Sequence, residues 1–115
     1  MSVAEFRAHR GGRARIKGAK VVVEDGIRFQ SKLEAQRYRY WVNLWHVKAI
    51  RWFIRQAPFH LPGGVIYRAD FLVALPVGIL VEDVKGWMTE VSRLKIKQVE
   101  AIYGITVQII KKGDF

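Results

Sequence analysis

The residues best suited to chemistry in this sequence are two aspartates and a lysine that lie in neighbouring stretches of the chain. Asp70 lies within VIYRADFLVAL, while Asp83 and Lys85 lie within GILVEDVKG. Both stretches have the composition of β-strands, and Pro76-Val77 between them indicates a turn. If the turn is centred on these two residues, the strands pair so that Asp70 lies directly opposite Asp83, with the side chains about 5 Å apart.

This arrangement of charges would suit a divalent cation. Side chains alternate along a strand, so Lys85 shares a face with Asp83 while Glu82 points to the other face. Like charges that oppose each other across a sheet are destabilising, and a bound cation would offset the repulsion. Carboxylate oxygens are hard ligands that suit Mg²⁺ or Mn²⁺ rather than zinc. Two alternatives stay open: Asp83 forms only a surface salt bridge with Lys85 or Arg68, or a longer loop shifts the register because Pro-Val is a poor two-residue turn.

The stretch before these strands predicts a hairpin and a helix. VVVEDGIRF has two apolar runs around Asp25-Gly26, which is a hairpin signal. Ser31-Lys32-Leu33-Glu34 fits a capping box that begins a helix ending near Ala49. This helix has two apolar sides, so we expect it to be buried between layers or packed against a partner. One side holds Leu33, Tyr40, Leu44 and Val47, and the other holds Glu34, Tyr38, Trp41, Val42 and Trp45.

Glu34 has two interpretations. It occupies the third position of the capping box, which by itself explains a glutamate there. It also shares a helix side with aromatic residues, where an unpaired carboxylate would be costly to bury. We therefore expect Glu34 to serve the metal site, and one side chain could serve both purposes.

Apolar runs and chain breakers predict the remaining elements. IRWFIRQAPFHL precedes the two strands that carry the aspartates and predicts a strand of its own, either ended at Pro58 or confined by it to a sheet edge. A second helix is predicted from Thr89 to about Tyr103, ended by Gly104, and ITVQII predicts a last strand. After the hairpin, the order is therefore αβββαβ in a single mixed α/β (α+β) domain.

The chain is small, basic and free of cysteine. Its 115 residues suffice for one domain, which we place at residues 21–115, and a hydrophobic content of 50% allows a packed core. Lysine and arginine number 20 against 10 acidic residues, and the net charge of +10 indicates a polyanionic partner, usually nucleic acid, with solubility alone as the alternative. Because there is no long apolar run and no signal peptide, we expect a cytoplasmic protein without membrane contact.

These residues together resemble the PD-(D/E)XK nuclease superfamily, whose signature is an Asp on one strand and (D/E)-x-K on the next, often with a Glu on the preceding helix. Arg68-Ala69-Asp70-Phe71 resembles the first element, with Ala69 in place of the namesake proline, which supplies no ligand. Val81-Glu82-Asp83-Val84-Lys85-Gly86 resembles the second, and Phe29-Gln30-Ser31-Lys32-Leu33-Glu34 resembles the helix start of small phage members. YRADFLVALPVGILVEDVKG is similar to the corresponding hairpin of phage junction-resolving endonucleases. The resemblance covers about residues 29–110 and implies a restriction-endonuclease-like core, a mixed sheet flanked by helices.

The resemblance implies a metal-dependent endodeoxyribonuclease. Asp70 and Asp83 would hold Mg²⁺, for which Mn²⁺ would substitute, with the Val84 carbonyl as a further oxygen and Glu34 bound directly or through water. Lys85 would orient or help deprotonate the attacking water and offset charge that develops on the phosphate oxygens. The similar phage enzymes imply branched DNA such as Holliday junctions as substrate, a symmetric homodimer, and a bacterial or phage-infected host cell.

Candidate nucleic-acid contacts lie along the whole chain. Residues 1–20 predict a flexible basic arm that could lie along phosphates, although a terminus without a role is the alternative. Gln56 stands near a position where relatives often have a Gln-Pro pair, and an ordinary strand-end polar residue is the alternative. Trp87 either stacks on a base or packs in the core. The candidate contacts are Arg13, Arg15, Lys17, Gln56, Arg68, Arg93 and Lys95.

Two other functions stay open at this point. A restriction-type or transposase-type DNA cutter would share the same fold. A non-catalytic basic nucleic-acid-binding module with a nuclease-like fold is the alternative from a different class, and the joint retention of the three acidic residues and Lys85 argues against it. For the homodimer, the candidate interface is the helix side that holds Leu33, Tyr40, Leu44 and Val47, which alternatively packs on the hairpin.

Overall fold

The fold begins with a hairpin and a helix and continues into a four-stranded sheet. A computed structural model describes residues 21–114, so the basic arm predicted over residues 1–20 lies outside the described part of the chain. The order of elements confirms the predicted mixed class and is compatible with the αβββαβ core. The elements are β1 (Val22–Glu24), β2 (Ile27–Phe29), α1 (Lys32–His46), β3 (Trp52–His60), β4 (Ile66–Ala74), β5 (Ile79–Val84), α2 (Glu90–Tyr103) and β6 (Val107–Ile110), with a short 3₁₀ turn at Pro62–Gly64.

The main sheet joins antiparallel and parallel strands in the order β3-β4-β5-β6. β3, β4 and β5 are antiparallel neighbours, whereas β6 runs parallel to β5 after the chain crosses over through α2. β3 is therefore an edge strand, where proline is tolerated because it has no N–H to give to a ladder. Pro58 does not end the strand, because β3 continues past it to His60. The alternative that is observed is the position of Pro58 on an edge strand.

Helix α1 begins at the predicted cap and ends earlier than predicted. The Ser31 hydroxyl accepts a hydrogen bond from the Glu34 N–H at 3.1 Å, as an N-cap residue should. The helix ends at His46, so the predicted end near Ala49 is wrong. The physical reason is Lys48, whose left-handed φ of 61° turns the chain out of the helix.

Helix α2 has the predicted termini. The Thr89 hydroxyl accepts from the Ser92 N–H at 3.0 Å, and Gly104 ends the helix with a left-handed φ of 66°. Neither helix in the described part of the chain has the length and apolar character needed to cross a membrane.

Two hydrophobic clusters lie on opposite faces of the sheet. On one face, α1 and the β1–β2 hairpin pack against Phe71. On the other face, Ile96 and Val99 of α2 pack against Val81. Phe71 pairs with Glu82 across β4 and β5, and Val81 is the neighbour of Glu82 along β5, so the two clusters must lie on opposite faces. The mixed sheet is thus flanked by helices, as predicted.

Helix α1 buries one side rather than two. Tyr40 and Val47, from one predicted apolar side, are exposed, and Trp45 from the other is 49% exposed. The hairpin packs on α1 through Tyr38, whose ring lies 5.1 Å from the ring of Phe29. Of the two alternatives for this helix, burial of both apolar sides between layers is therefore wrong, while packing of the exposed side against a partner, as in the homodimer, stays a prediction. The buried residues of α1 are Glu34, Ala35, Arg37, Tyr38 and Trp41.

Candidate active site

The β4–β5 hairpin has the register predicted from the sequence. Its two-residue turn is closed by a hydrogen bond from the Leu75 N–H to the Gly78 carbonyl at 3.0 Å. Gly78 has a φ of 91°, which glycine adopts without strain, so the Pro-Val turn does not shift the register. The ladder ends where Phe71 lies opposite Glu82. The next residues to face each other are the two aspartates.

Asp70 lies where β4 and β5 stop pairing. The Val84 N–H donates to Asp70 Oδ2 at 2.8 Å, and the Asp70 carboxyl group is within hydrogen-bonding reach of Asp83. Burial, followed by the neighbouring Asp83, raises the pKa of Asp70 to about 8, although the Val84 N–H and Lys85 act in the opposite direction. Without a cation, burial and the adjacent Asp83 therefore both favour the protonated form of the Asp70 carboxyl group.

Asp83 is held by two donors on the same oxygen. Lys85 Nζ lies 3.2 Å from Asp83 Oδ2, and the Tyr67 hydroxyl donates to that oxygen at 2.5 Å. Asp83 is only 1% exposed. The ion pair between Asp83 and Lys85 is therefore present, but its predicted place at the surface is wrong for Asp83, because this carboxylate is buried between a lysine, a phenol and a second carboxyl group.

The alternation of side chains between the two faces of the sheet is interrupted in β3 and β4 at the site. Tyr67 and Ala69 pack in the cluster beneath α2, whereas Phe71 packs in the cluster beneath α1. Side chains two residues apart share a face in a regular strand, so β4 must reverse its alternation at Asp70. Opposite Asp70 in the register of β3 and β4, Gln56 has a left-handed φ of 55°, an unusual conformation for a residue other than glycine.

This reversal explains why sequence analysis missed Tyr67. Tyr67 and Asp70 are an odd number of residues apart, so a regular strand would place their side chains on opposite faces. The irregular pair of Gln56 and Asp70 brings the Tyr67 hydroxyl to Asp83 instead. Burial and the adjacent Asp83 raise the pKa of Tyr67, so its hydroxyl stays protonated and acts as a hydrogen-bond donor.

Gln56 connects Glu34 to Asp70. Its Nε2 donates to Asp70 Oδ1 at 2.9 Å and to Glu34 Oε1 at 3.2 Å. Arg55 Nη2 lies 3.4 Å from the same Glu34 oxygen. The Glu34 N–H thus donates to Ser31, which is the Ser31 half of the predicted capping box, and the Glu34 carboxylate lies beside Gln56, while its service to a metal site stays a prediction. Gln56 is buried and belongs to the carboxylate cluster, and its contact with nucleic acid stays a prediction.

Glu82 anchors the strand that carries Asp83. Glu82 lies on the opposite face of β5 from Asp83, as predicted, and accepts two hydrogen bonds from Arg37, at 2.9 Å from Nε and 2.5 Å from Nη2. Trp41 Nε1 donates to the same carboxylate at 2.7 Å. This buried ion pair ties β5 to α1 one residue before the site.

The described candidates for phosphate contact lie on β4 and α2. Arg68 is half-buried on β4, Arg93 is exposed on α2, and Lys95 is half-buried two residues further along the same helix. Arg13, Arg15 and Lys17 lie outside the described residues. Their contact with nucleic acid stays a prediction, as does that of the residues on β4 and α2.

A family model described as "Protein of unknown function (DUF1064)" matches residues 14–112. The chain belongs to this family. No curated protein and no solved structure gives a significant match to it. The match to the DUF1064 model includes Glu34, Gln56, Asp70, Asp83 and Lys85, so the whole carboxylate cluster lies within the family's shared region.

The donor set fits Mg²⁺ through a pair of carboxylates. Among residues 21–114, no group of three or more His, Cys, Asp or Glu side chains comes together as a metal site. Asp70 and Asp83 are in contact, while Glu34 is separated from Asp70 by the Gln56 amide. Mg²⁺ typically binds through one or two carboxylates and keeps several waters, so the pair suffices. Glu34 and the Val84 carbonyl as direct ligands stay predictions.

We expect the raised pKa of Asp70 to make the protein less stable in EDTA as the pH rises. The folded-state pKa of about 8 lies well above the ordinary aspartate pKa of 3.8. The folded state therefore binds the Asp70 proton more tightly than the unfolded state does. This proton's contribution to the free energy of unfolding is fully present below about pH 4 and is lost as the pH rises through about 8. Asp70→Asn should remove this dependence and raise Tm by a few degrees at pH 8.5.

Thermal unfolding followed by circular dichroism across pH 5 to 9 in EDTA would measure this effect. Glu90→Gln, which changes an exposed carboxylate on α2, should keep the wild-type slope. Mg²⁺ should raise the Tm of the wild-type protein more at pH 8.5 than at pH 6, because the cation competes with the Asp70 proton. Parallel pH profiles for the wild type and Asp70→Asn would contradict the assignment.

Proposed function

We propose that this protein is a metal-dependent endonuclease that hydrolyses phosphodiester bonds in DNA. The observation that carries the proposal is the contact between Asp70 and Asp83, with Lys85 Nζ 3.2 Å from Asp83. Two carboxyl groups this close, with Asp83 buried and Asp70 partly buried, repel each other unless a proton or a cation lies between them. The net charge of +10 favours a polyanionic substrate over a small neutral one.

Asp70 and Asp83 would hold the cation. When bound, a divalent cation polarises the scissile phosphate and makes a water molecule a stronger nucleophile at neutral pH. Gln56 holds Asp70 Oδ1, and the Val84 N–H holds Asp70 Oδ2. These contacts fix the orientation of the carboxylate before any ligand arrives, which is the preorganisation that metal and active sites need.

Lys85 would act on the phosphate from its place beside Asp83. Its ammonium group lies beside Asp83 Oδ2 and is partly exposed, so a phosphate can approach it. From there it would stabilise negative charge that develops on the phosphate oxygens and orient or help deprotonate the attacking water. Tyr67 donates to the same Asp83 oxygen and keeps that carboxylate in place while Lys85 engages the substrate.

Incubation of the purified protein with a four-way DNA junction and with a plain duplex tests the proposal. Each substrate is incubated with Mg²⁺, with Mn²⁺ and with EDTA. We expect cleavage with either cation and none in EDTA, with the junction cut preferentially, as the resemblance to phage resolvases implies. Asp70→Asn, purified in the same way, should be inactive and serves as the control for contaminating nucleases.

The outcomes separate the candidate functions. Absence of cleavage with both cations, together with retained DNA binding, would make the protein a non-catalytic nucleic-acid-binding module. Equal cutting of junction and duplex would leave the nuclease and remove the preference for branched DNA. Size-exclusion chromatography with light scattering, with and without DNA, would test the predicted homodimer.

A further inference from the structure

Trp87 is the most exposed tryptophan of this chain. It is 80% exposed, whereas Trp41 is 3% exposed and Trp45 and Trp52 are 49% and 45% exposed. Of the two sequence interpretations of Trp87, packing in the core is therefore wrong. An exposed indole does not give the stabilisation that burial of its apolar surface would provide. No packing role in the described fold accounts for a tryptophan at this position.

The loop between β5 and α2 holds Trp87 close to the carboxylate cluster. At one end, the Lys85 N–H donates to the Ile110 carbonyl at 2.9 Å, and at the other end Thr89 caps α2. Only Gly86 separates Lys85 from Trp87, so their Cα atoms lie within about 7 Å of each other. The backbone of Trp87 thus lies close to Lys85, the residue that would engage the scissile phosphate.

The surroundings of Trp87 combine an aromatic face with positive charge. Lys85 precedes it, and Arg93 and Lys95 follow on the first turns of α2. Aromatic side chains beside cationic groups bind nucleic acids by stacking on bases while the cations contact phosphates. Bases within a regular duplex are already stacked on one another, so a protein ring reaches a base face only where the stack is interrupted.

We propose that Trp87 stacks on an unpaired or unstacked DNA base beside the scissile phosphate, so that the protein selects DNA with interrupted base stacking. This inference rests on the proposed nuclease site for its location and names the substrate class of that site. Branch points, bulges and single-stranded flaps all offer the feature that Trp87 would recognise, which is a free base face adjacent to a phosphate.

Equilibrium binding in EDTA tests the proposal without any cleavage. Kd is measured by fluorescence anisotropy for a duplex with a small bulge and for the same duplex fully paired. Trp87→Leu should lose about 5- to 100-fold in affinity for the bulged DNA and little for the paired duplex. Trp87→Phe, which keeps an aromatic ring, should retain most of the preference. Trp45→Leu, an equivalent change at a half-exposed tryptophan on α1, should leave both affinities unchanged.

A second readout reports on stacking itself. With 2-aminopurine as the unpaired base, wild-type protein should quench its emission, and Trp87→Leu should not. If Trp87→Leu keeps the wild-type ratio of the two affinities, or if bulged RNA binds more tightly than bulged DNA, the proposal is overturned. Failure of the nuclease proposal is seen separately, as absence of cleavage by wild-type protein in Mg²⁺ whatever the result with Trp87.

Discussion

Replacing Lys85 with alanine is expected to reduce DNA cleavage by about a hundred- to ten-thousand-fold, while the protein stays folded. Lys85 is the cation that contacts the aspartate pair, with its Nζ 3.2 Å from Asp83 Oδ2. Its loss removes the charge that would offset the developing negative charge of the phosphate. Because its side chain is 23% exposed, truncation leaves no closed cavity in the core.

Single-turnover cleavage of a labelled junction, at saturating protein and Mg²⁺, would measure this loss. Lys97→Ala removes an equal charge from the exposed surface of α2 and should change the rate only slightly. DNA affinity in EDTA should be similar for the two variants, which separates a chemical role of Lys85 from a general electrostatic one. A Lys85→Ala protein that cuts within a few-fold of the wild-type rate would show that the lysine has no part in the reaction.

The largest loss of stability is expected at Glu82, although this residue faces away from the chemistry. Glu82 and Arg37 are almost completely buried, with side-chain exposures of 1% and 8%. Glu82→Gln removes the carboxylate that faces the Arg37 guanidinium and accepts from Trp41. Breaking one partner of a buried ion pair costs about 3–5 kcal/mol, because the remaining charge loses its compensation. Urea denaturation would measure the loss as a lower free energy of unfolding.

A matched ion pair on the surface provides the control. Arg39 Nη1 lies 2.9 Å from Glu24 Oε2, with side chains that are 49% and 26% exposed. Glu24→Gln should cost between zero and about 1 kcal/mol, as exposed pairs do. The double variant Arg37→Met with Glu82→Leu should recover part of the lost stability, because an apolar pair avoids the cost of burying charge, while the buried Trp41 N–H loses its acceptor. Equal losses in Glu82→Gln and Glu24→Gln would contradict the argument.

Local signals in the sequence predict most of the fold. Ser31 and Thr89 cap the two helices, and Gly104 ends the second, because each satisfies backbone groups of the adjacent turn. The β4–β5 register is also a local property, fixed by a two-residue turn that Gly78 allows. Once that register is known, alternation along β5 places Lys85 with Asp83 and sends Glu82 to the other face. The relative positions of Asp70, Asp83 and Lys85 are therefore predictable from about twenty consecutive residues.

Residues that depend on long-range packing could not be predicted. Nothing in the identity of Gln56 indicates a left-handed conformation, which is more typical of glycine or asparagine. Without it, alternation places Tyr67 on the wrong face of β4. Helix α1 shows a similar limit, because its two apolar sides predict either burial between layers or contact with a partner, and the sequence does not indicate that the sheet and hairpin cover only one side. Tyr40 and Trp45 consequently remain exposed or half-exposed.

Pro58 has a consequence for how copies of this chain can associate. Two sheets merge into one when the outermost strand of each offers a continuous row of N–H and C=O groups. β3 is such an outermost strand, and Pro58 interrupts its donors only two residues from Gln56. Intermolecular sheet extension is therefore disfavoured along the outer edge of β3, so that copies of this chain would have to associate through other surfaces.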